Sequence, residues 1–317
     1  MYAFGVDVGG TTVKLGFFRT DGTLFDKWEI RTRTEDGGKN IIPDIAAAVL
    51  GRLRDNNISA NAVVGIGIGV PGPVTDDGIV NKCINLGWGV TPVEKELSKL
   101  TGFKVRAAND ANIAALGEMW QGGGRGYNSP ALLTLGTGVG GGIVINGHIL
   151  SGTNGAAGEV GHIHVDDSET EMCTCGNYGC LEQYASATGI VRIARRAMAA
   201  GGATAAAEPG RGKLLLPADF TAKDIFDAAK AGDSFALSVV DKFANVLGKG
   251  CAAVASSVDP DVFIIGGGVS KAGSIIIDKV QSEYKKYAFH ASKGTPFKLA
   301  ELGNDAGIYG GVKLVLD

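Results

Sequence analysis

The chain has 317 residues, 45% of them hydrophobic, with a formal net charge of −3. That length holds two domains with sizeable cores, and that composition belongs to a folded chain rather than a disordered one. Acids and bases are spread along the chain, so no basic stripe offers a nucleic-acid surface, and no window reaches the roughly 18 uninterrupted apolar residues of a membrane span.

Residues 2–8 and 12–19 read as two short strands separated by Gly9-Gly10-Thr11, with Leu24–Arg31 as a third after the Asp21-Gly22 turn; together they predict a β-meander. Met1 leads straight into YAFGVDVGG without a basic or long apolar leader, which points to the cytosol. There the five cysteines read as thiols or metal ligands rather than disulfides. Ile41–Arg54 carries helical periodicity through Ile42, Ile45, Val49, Leu50 and Leu53. Ala62–Val70 is nearly all apolar, as in a strand buried on both faces, and ends at PGPV. A helix over Thr91–Leu100, a strand over Lys104–Ala108 and a helix over Asp110–Trp120 follow. ALLTLGTGVGGGIVINGHIL (131–150) then repeats the pattern of the opening: strand, glycine turn, strand, turn, strand. Further helices are expected over Gly189–Ala200, Thr221–Ala231 (Thr221 as N-cap) and Asp233–Ser257, a surface loop over Gly201–Pro217, and a strand over Asp261–Ile265 running into GGGVS. The alternation of strands and helices with two meanders predicts an α/β fold in two lobes. The 50 glycines are roughly twice the usual share of about 7%, and they gather at the ends of apolar runs, where backbone must turn or approach a ligand.

Two of these turns, DVGGTT (Asp7–Thr12) and GTGVGGG (Gly136–Gly142), offer backbone N–H groups without Cβ obstruction, and Thr11, Thr12 and Thr137 add hydroxyls. Each suits phosphate oxygens, and each equally suits a plain β-turn. The second leads into a strand, where a dinucleotide fingerprint needs a helix; there is no GxxxxGK[ST] and no protein-kinase motif set. IIGGGVS supplies a third turn at Gly266, Gly267 and Gly268, either against an adenine or ribose or as a simple strand-to-helix turn.

GHIHVDDSETEMCTCGNYGCLEQ is the most specific stretch. Cys173, Cys175 and Cys180 lie within eight residues, with His162 and His164 upstream. Three thiolates and one imidazole make a closed tetrahedral zinc site, structural rather than catalytic. Cys83 and Cys251 stand apart and read as small buried hydrophobes. Glu159 and Glu182 flank the cluster. Either alone would be an ordinary solvated acid; together, beside a metal clamp, they suit the hydroxyls of a polyol.

Taken in order, DVGGTTVKLG, GIGVPGPV, NDANIAALGE, LGTGVGGGIVING, GEVGH and CTCGNYGCLEQYAS span essentially the whole chain and resemble the ROK family of sugar kinases and repressors, within the actin-like ATPase superfamily. The resemblance implies a two-lobed, ribonuclease H-like α/β fold with a sugar and nucleotide cleft. The small lobe would be 1–115 plus about 303–317, and the large lobe 116–302. It implies ATP, Mg²⁺ and a structural Zn²⁺ held by His162, Cys173, Cys175 and Cys180, with His164 left over. Asp110 matches the family's catalytic base; Asn109 before it is a fit N-cap, and the first helical turn favours an anion. By the same resemblance Asn109, Asp110, Glu159, His162 and Glu182, with Gly72 and Asn85, contact the sugar. Asp7, Gly9, Gly10, Thr11, Thr12, Gly136, Thr137, Gly138, Gly266, Gly267 and Gly268 hold ATP, with Asp7 organising Mg²⁺. The expected reaction is transfer of phosphate from ATP to the 6-hydroxyl of glucose, since GVPGPVTDDGIVNKCINLGWG is most like the glucokinase branch. Fructose, N-acetylmannosamine and N-acetylglucosamine are the alternative substrates, and a non-catalytic sugar sensor the alternative role. Repressor members carry an N-terminal helix-turn-helix, for which this chain has no residues ahead of its first turn. Family precedent implies a cytoplasmic homodimer or homotetramer that binds neither nucleic acid nor membrane.

Overall fold

The computed structural model describes residues 1–202, 216–217 and 219–317, so the loop expected over Gly201–Pro217 lies mostly outside them. The described chain divides into two compact units. One comprises Met1–Pro130, Gly142–Gly158 and Glu301–Asp317, the other Ala131–Gly141 and Glu159–Ala300.

The first unit opens with the expected meander, β1 (Tyr2–Val8), β2 (Thr12–Arg19) and β3 (Leu24–Arg31). Helix α1 (Ile41–Asp55) leads to β4 (Val63–Val70), followed by the small pair β5 (Ile79–Val80) and β6 (Thr91–Pro92). Helix α2 (Val93–Thr101), β7 (Val105–Asn109) and α3 (Asp110–Gln121) complete this stretch. The helix expected from Thr91 starts two residues later because Thr91 and Pro92 pair with Val80 and Ile79. The sheet order is β3-β2-β1-β4-β7, with β1, β4 and β7 parallel.

The rest of the chain holds β8 (Pro130–Leu135), β9 (Val139–Ile145) and β10 (His148–Ile149), then α4 (Glu182–Ala185), α5 (Ala187–Ala197), α6 (Ala222–Lys230) and α7 (Ser234–Val258). Strand β11 (Val262–Gly266), α8 (Gly267–Ser270), α9 (Ser274–Tyr287), β12 (Phe297–Leu299) and α10 (Ala306–Leu316) close it. The second sheet runs β10-β9-β8-β11-β12, the same order as the first, as the repeat predicts; the division between units passes along β9. Thr221 caps α6 in a full capping box with Asp224, and Asp233 caps α7 through the Ala236 N–H. In the second unit α7 packs against α5, α6 and α9, and Phe263 of β11 stacks on Phe297 of β12 at 4.8 Å. No helix among the described residues is long and apolar enough to cross a membrane.

The first sheet is covered on both faces. Phe4, Val6 and Val8 of β1 join Ile66, Ile68 and Val70 of β4 in a core with α1 and α2. Ala3 faces the other way, with Ile308, Val312 and Val315 of α10. What brings α10 onto that face is glycine. A Cβ on Gly5 would stand 1.8 Å from the Ile308 carbonyl oxygen, and one on Gly67 1.7 Å from that of Gly311. Helix α3 meets α10 as closely, since a Cβ on Gly310 would stand 1.6 Å from Ile113 O. The glycine excess therefore serves packing inside strands and helices as well as turns at their ends. This close fit also sets the first unit's boundary. α3 runs unbroken past residue 115 along α10, and the compact unit that holds both extends to Pro130 and includes 142–158.

Candidate functional site

In the first unit the candidate residues sit at one edge of the sheet. The register aligns Asp7 with Gly69, Gly69 with Ala108 and Val70 with Asn109, so the loops after three parallel strands leave together. That carboxyl edge is where parallel sheets bind ligands. Gly9 N–H donates to Thr12 O (3.0 Å), and Thr32 closes the turn from outside, its Oγ1 donating to Gly9 O (2.7 Å) and its N–H to Thr11 O (2.9 Å). Gly9, Gly10 and Thr11 are exposed and Thr12 half-buried, with open space where a Gly10 Cβ would be. Asp7 lies half-buried behind the turn. Burial, then the charge of Asp110, pushes its carboxyl up to about 6, against the pull of Lys14.

Asp110 opens α3, and its Oδ1 accepts the Ala111 N–H (2.8 Å). Asn109 is the N-cap in the expected sense. Its Oδ1 accepts from Ala111 N (2.9 Å) and Asn112 N (3.2 Å), and its Nδ2 donates to Gly72 O (3.1 Å). The cap thus ties the head of α3 to the PGPV turn, where Gly72 holds φ +93°. A Cβ on Gly72 would also stand 3.0 Å from Lys82 O, so this turn abuts the loop carrying Asn85. Asn85 is exposed in the short 3-10 turn Ile84–Leu86, beside which Trp88 Nε1 donates to Gly38 O (3.1 Å). One buried polar atom of this unit, Asn112 Oδ1, has no hydrogen-bond partner among the described residues.

In the second unit His162, Cys173, Cys175 and Cys180 put one ligand atom each within 4.8 Å of one another. Cys175 Sγ and Cys180 Sγ are 3.6 Å apart, and Cys173 Sγ is 3.9 Å from His162 Nδ1. Those separations fit the edge of about 3.8 Å of a tetrahedron with 2.3 Å zinc–sulfur bonds. His164 is turned away, its Nδ1 against Tyr178 O (2.9 Å) and its Nε2 against Asp167 (2.8 Å). The loop is shaped by Gly179 (φ +70°), where a Cβ would stand 2.1 Å from Asp166 O. Cys83 and Cys251 are buried apart from the cluster, and burial pushes the Cys251 thiol up. The loop is also bolted to α5: buried Glu169 takes Arg196 (2.8 Å) and Arg192 (3.0 Å), and Arg196 holds its carboxyl at about 2.

The two flanking acids take different positions. Glu159 is exposed, with Oε2 4.0 Å from His162 Nε2, so the imidazole runs from the thiolates to a carboxylate. Glu182 is half-buried; Oε2 accepts the Val139 N–H (3.0 Å) and Oε1 the Thr174 hydroxyl (3.2 Å). One carboxylate therefore links the glycine turn to the cysteine loop. In that turn Gly136 N–H donates to Gly138 O (2.9 Å), while Gly136 O accepts Ala187 N–H (2.7 Å) and Thr137 O accepts Thr188 Oγ1 (2.9 Å).

Gly136, Thr137 and Gly268 line one cavity of about 500 Å³ within this unit. Gly266 and Gly267 do not line it. Gly266 is buried at the end of β11, and Gly267, at φ +81°, packs where a Cβ would stand 2.5 Å from Leu135 O. The cavity's remaining wall comes from residues the sequence did not single out, among them Phe226, Asp227 and Lys271. Phe226 and Asp227 lie on α6, whose pattern signals only amphipathicity, and Lys271 lies in the turn after α8. Thr174 was missed as well, since a threonine between two cysteines carries no signal of its own.

A model of the ROK family matches residues 3–317. The chain is 47% identical over 317 residues to the glucokinase of Halalkalibacterium halodurans, covering 98% of this chain and 94% of that protein. Among solved structures it is similar to the ROK hexokinase of Thermus thermophilus (TM-score 0.78, 30% identity, 100% of this chain and 98% of that one). It is also similar to a ROK family glucokinase from Streptomyces griseus, solved in complex with glucose and AMPPNP (TM-score 0.71, 33% identity, 99% of both chains).

Proposed function

The chain belongs to the ROK family, with its actin-like ATPase fold, and from that premise we propose that it is a glucokinase, transferring the γ-phosphate of ATP to the 6-hydroxyl of glucose. The observation that carries the reading is Asp110 at the capped head of α3, on the same sheet edge as the Asp7 turn. The choice of glucose rests on the full-length likeness to glucokinases.

Asp110 takes the proton of the attacking hydroxyl. The transition state of phosphoryl transfer is loose, so the base mainly aims that hydroxyl, and the charge falls to the surroundings. The N–H groups of Gly9–Thr12 and Gly136–Gly138 face phosphate oxygens, and Gly268 lies against the nucleoside. Asn109, Glu159, His162 and Glu182, with Gly72 and Asn85, hold the other sugar hydroxyls. Asp7 would organise Mg²⁺, which when bound would supply neutralisation of the phosphate charge. His162, Cys173, Cys175 and Cys180 would hold Zn²⁺ as a structural ion with all four positions protein-filled, and would so fix the loop between Glu159 and Glu182. We place the enzyme in the cytoplasm, where reduced thiols persist, as a homodimer or homotetramer.

The test is ADP release from ATP-Mg²⁺ over glucose, fructose, mannose, N-acetylglucosamine and N-acetylmannosamine. Glucose should give the highest kcat/KM. Preference for another hexose would keep the mechanism and move the substrate; no release with any of them would overturn the kinase reading.

A further inference from the structure

The cavity beside the Gly136–Gly138 turn has two chemically distinct parts. Phe226, Val269 and Ala272 give it an apolar wall, and Phe226 is only 2% exposed. Its charged groups are Lys223, Asp227 and Lys271. Thr221 also lines it, but its hydroxyl is committed to Asp224 Oδ2 (2.7 Å) in the α6 capping box. Asp227 is the sole carboxylate lining the cavity among the described residues. It stands one turn after Lys223 on α6 and is bound to it at 2.6 Å, with its side chain half exposed.

We propose that Asp227 reads the ribose of the donor nucleotide, accepting hydrogen bonds from its 2′- and 3′-hydroxyls while Lys223 steadies the carboxylate. This rests on the kinase reading above and adds donor specificity to it. The argument is one of chemical matching. A carboxylate repels phosphate, so Asp227 faces an uncharged part of the donor. An ionised carboxylate only accepts, through two oxygens, which matches a pair of neighbouring hydroxyl donors. The edge of an adenine mixes one donor with acceptors, which a carboxylate opposes. A base belongs on the apolar wall, where stacking area is dry, and a diol belongs at the half-exposed acid. A cavity of about 500 Å³ also lies in the range of small-molecule sites and exceeds what a bare phosphate chain fills. The site therefore selects a ribonucleoside triphosphate over its 2′-deoxy form and over inorganic polyphosphate.

The experiment measures kcat and KM at saturating glucose with ATP, 2′-deoxy-ATP, 3′-deoxy-ATP, inosine triphosphate and polyphosphate. It uses the wild type, Asp227→Ala and Asp227→Glu, each checked by its melting curve. The wild type should favour ATP over 2′-deoxy-ATP by about tenfold in kcat/KM, the size of one hydrogen bond to a charged group. Asp227→Ala should bring that ratio close to one by raising the KM for ATP, and Asp227→Glu should restore part of it. Equal use of ATP and 2′-deoxy-ATP by the wild type, or a ratio unchanged in Asp227→Ala, would overturn the proposal. So would loss of discrimination between ATP and inosine triphosphate instead, which would put Asp227 on the base, and so would polyphosphate serving as well as ATP. If ATP supports no turnover with any sugar, the kinase reading has failed. Calorimetric binding of ATP against 2′-deoxy-ATP then still decides whether Asp227 reads ribose.

Discussion

Glu182 Oε2 accepts the Val139 N–H at 3.0 Å, and the same oxygen stands 2.4 Å from where a Cβ on Gly138 would be. The carboxylate assigned to the sugar is thus aimed by the turn assigned to phosphate, and only glycine at 138 leaves it room. Gly138→Ala should push Glu182 off Val139 while sparing the fold, because the atom displaced is the end of a flexible side chain. Loss of a hydrogen bond to a charged group is worth about 1.5–3 kcal/mol, so the KM for glucose should rise about tenfold or more. Steady-state kinetics with a matched melting curve check it; an unchanged KM would detach Glu182 from the sugar.

Asp110→Asn keeps the size and polarity of the side chain at the head of α3 but removes the base. Turnover should fall about 10²- to 10⁴-fold while glucose binding, measured by calorimetry, stays close to wild type. Retained turnover would leave Asp110 as a first-turn acid alone.

The wild-type protein should contain about one zinc per chain by elemental analysis, and Cys175→Ser should lose it. Cys175 is the exposed member of the cysteine trio, so its loss should loosen the loop rather than unfold the unit. The expected signature is a raised KM for glucose with the KM for ATP little changed. A wild type without zinc would sink the assignment.

Burial of the Asp7 carboxylate, proposed above to organise Mg²⁺, costs stability. Its carboxyl titrates near 6 in the folded protein, chiefly because it is buried, against 3.8 as the ordinary value. A raised folded pKa means the folded state holds the proton more tightly than the unfolded one. Stability from this group is therefore full below about pH 4 and lost as pH rises through 6. Asp7→Asn should gain about 1–2 kcal/mol at pH 8 and nothing at pH 4, while binding of ATP-Mg²⁺ weakens. Urea unfolding at the two pH values reads the first effect, and the KM for ATP-Mg²⁺ the second. Equal stability at pH 8 would contradict burial as the cause.

Features that depend on neighbours in the chain were legible. The meander bounds, the Asn109 and Thr221 caps, the C-x-C-G-x-x-G-C loop and both glycine turns rest on contacts a few residues apart, which spacing and residue type encode. The buried strand at β4 and the repeated sheet order follow from apolar runs of strand length. Helix α10 was not legible. Gly307, Gly310 and Gly311 depress its helical signal, and only packing shows why they stand there. Helix α9 escaped as well, its pattern mixing polar and apolar residues without a clear boundary.

Composition, spacing and residue type alone point to an α/β chain with two meanders, a cysteine–histidine cluster that suits zinc, and a capped helix headed by Asp110. Spacing left His162 and His164 both open as the fourth ligand and the family resemblance named His162; folding turns His164 to Tyr178 and Asp167 while His162 faces Cys173. Only the tertiary structure decided that Gly266 and Gly267 pack while Gly268 lines a cavity, and that Asp7 lies within the field of Asp110. The physical reason is range. Caps, turns and ligand spacings are fixed by bonds between near neighbours, whereas burial, charge coupling and the Gly5–Ile308 contact depend on groups that meet only once the chain has folded.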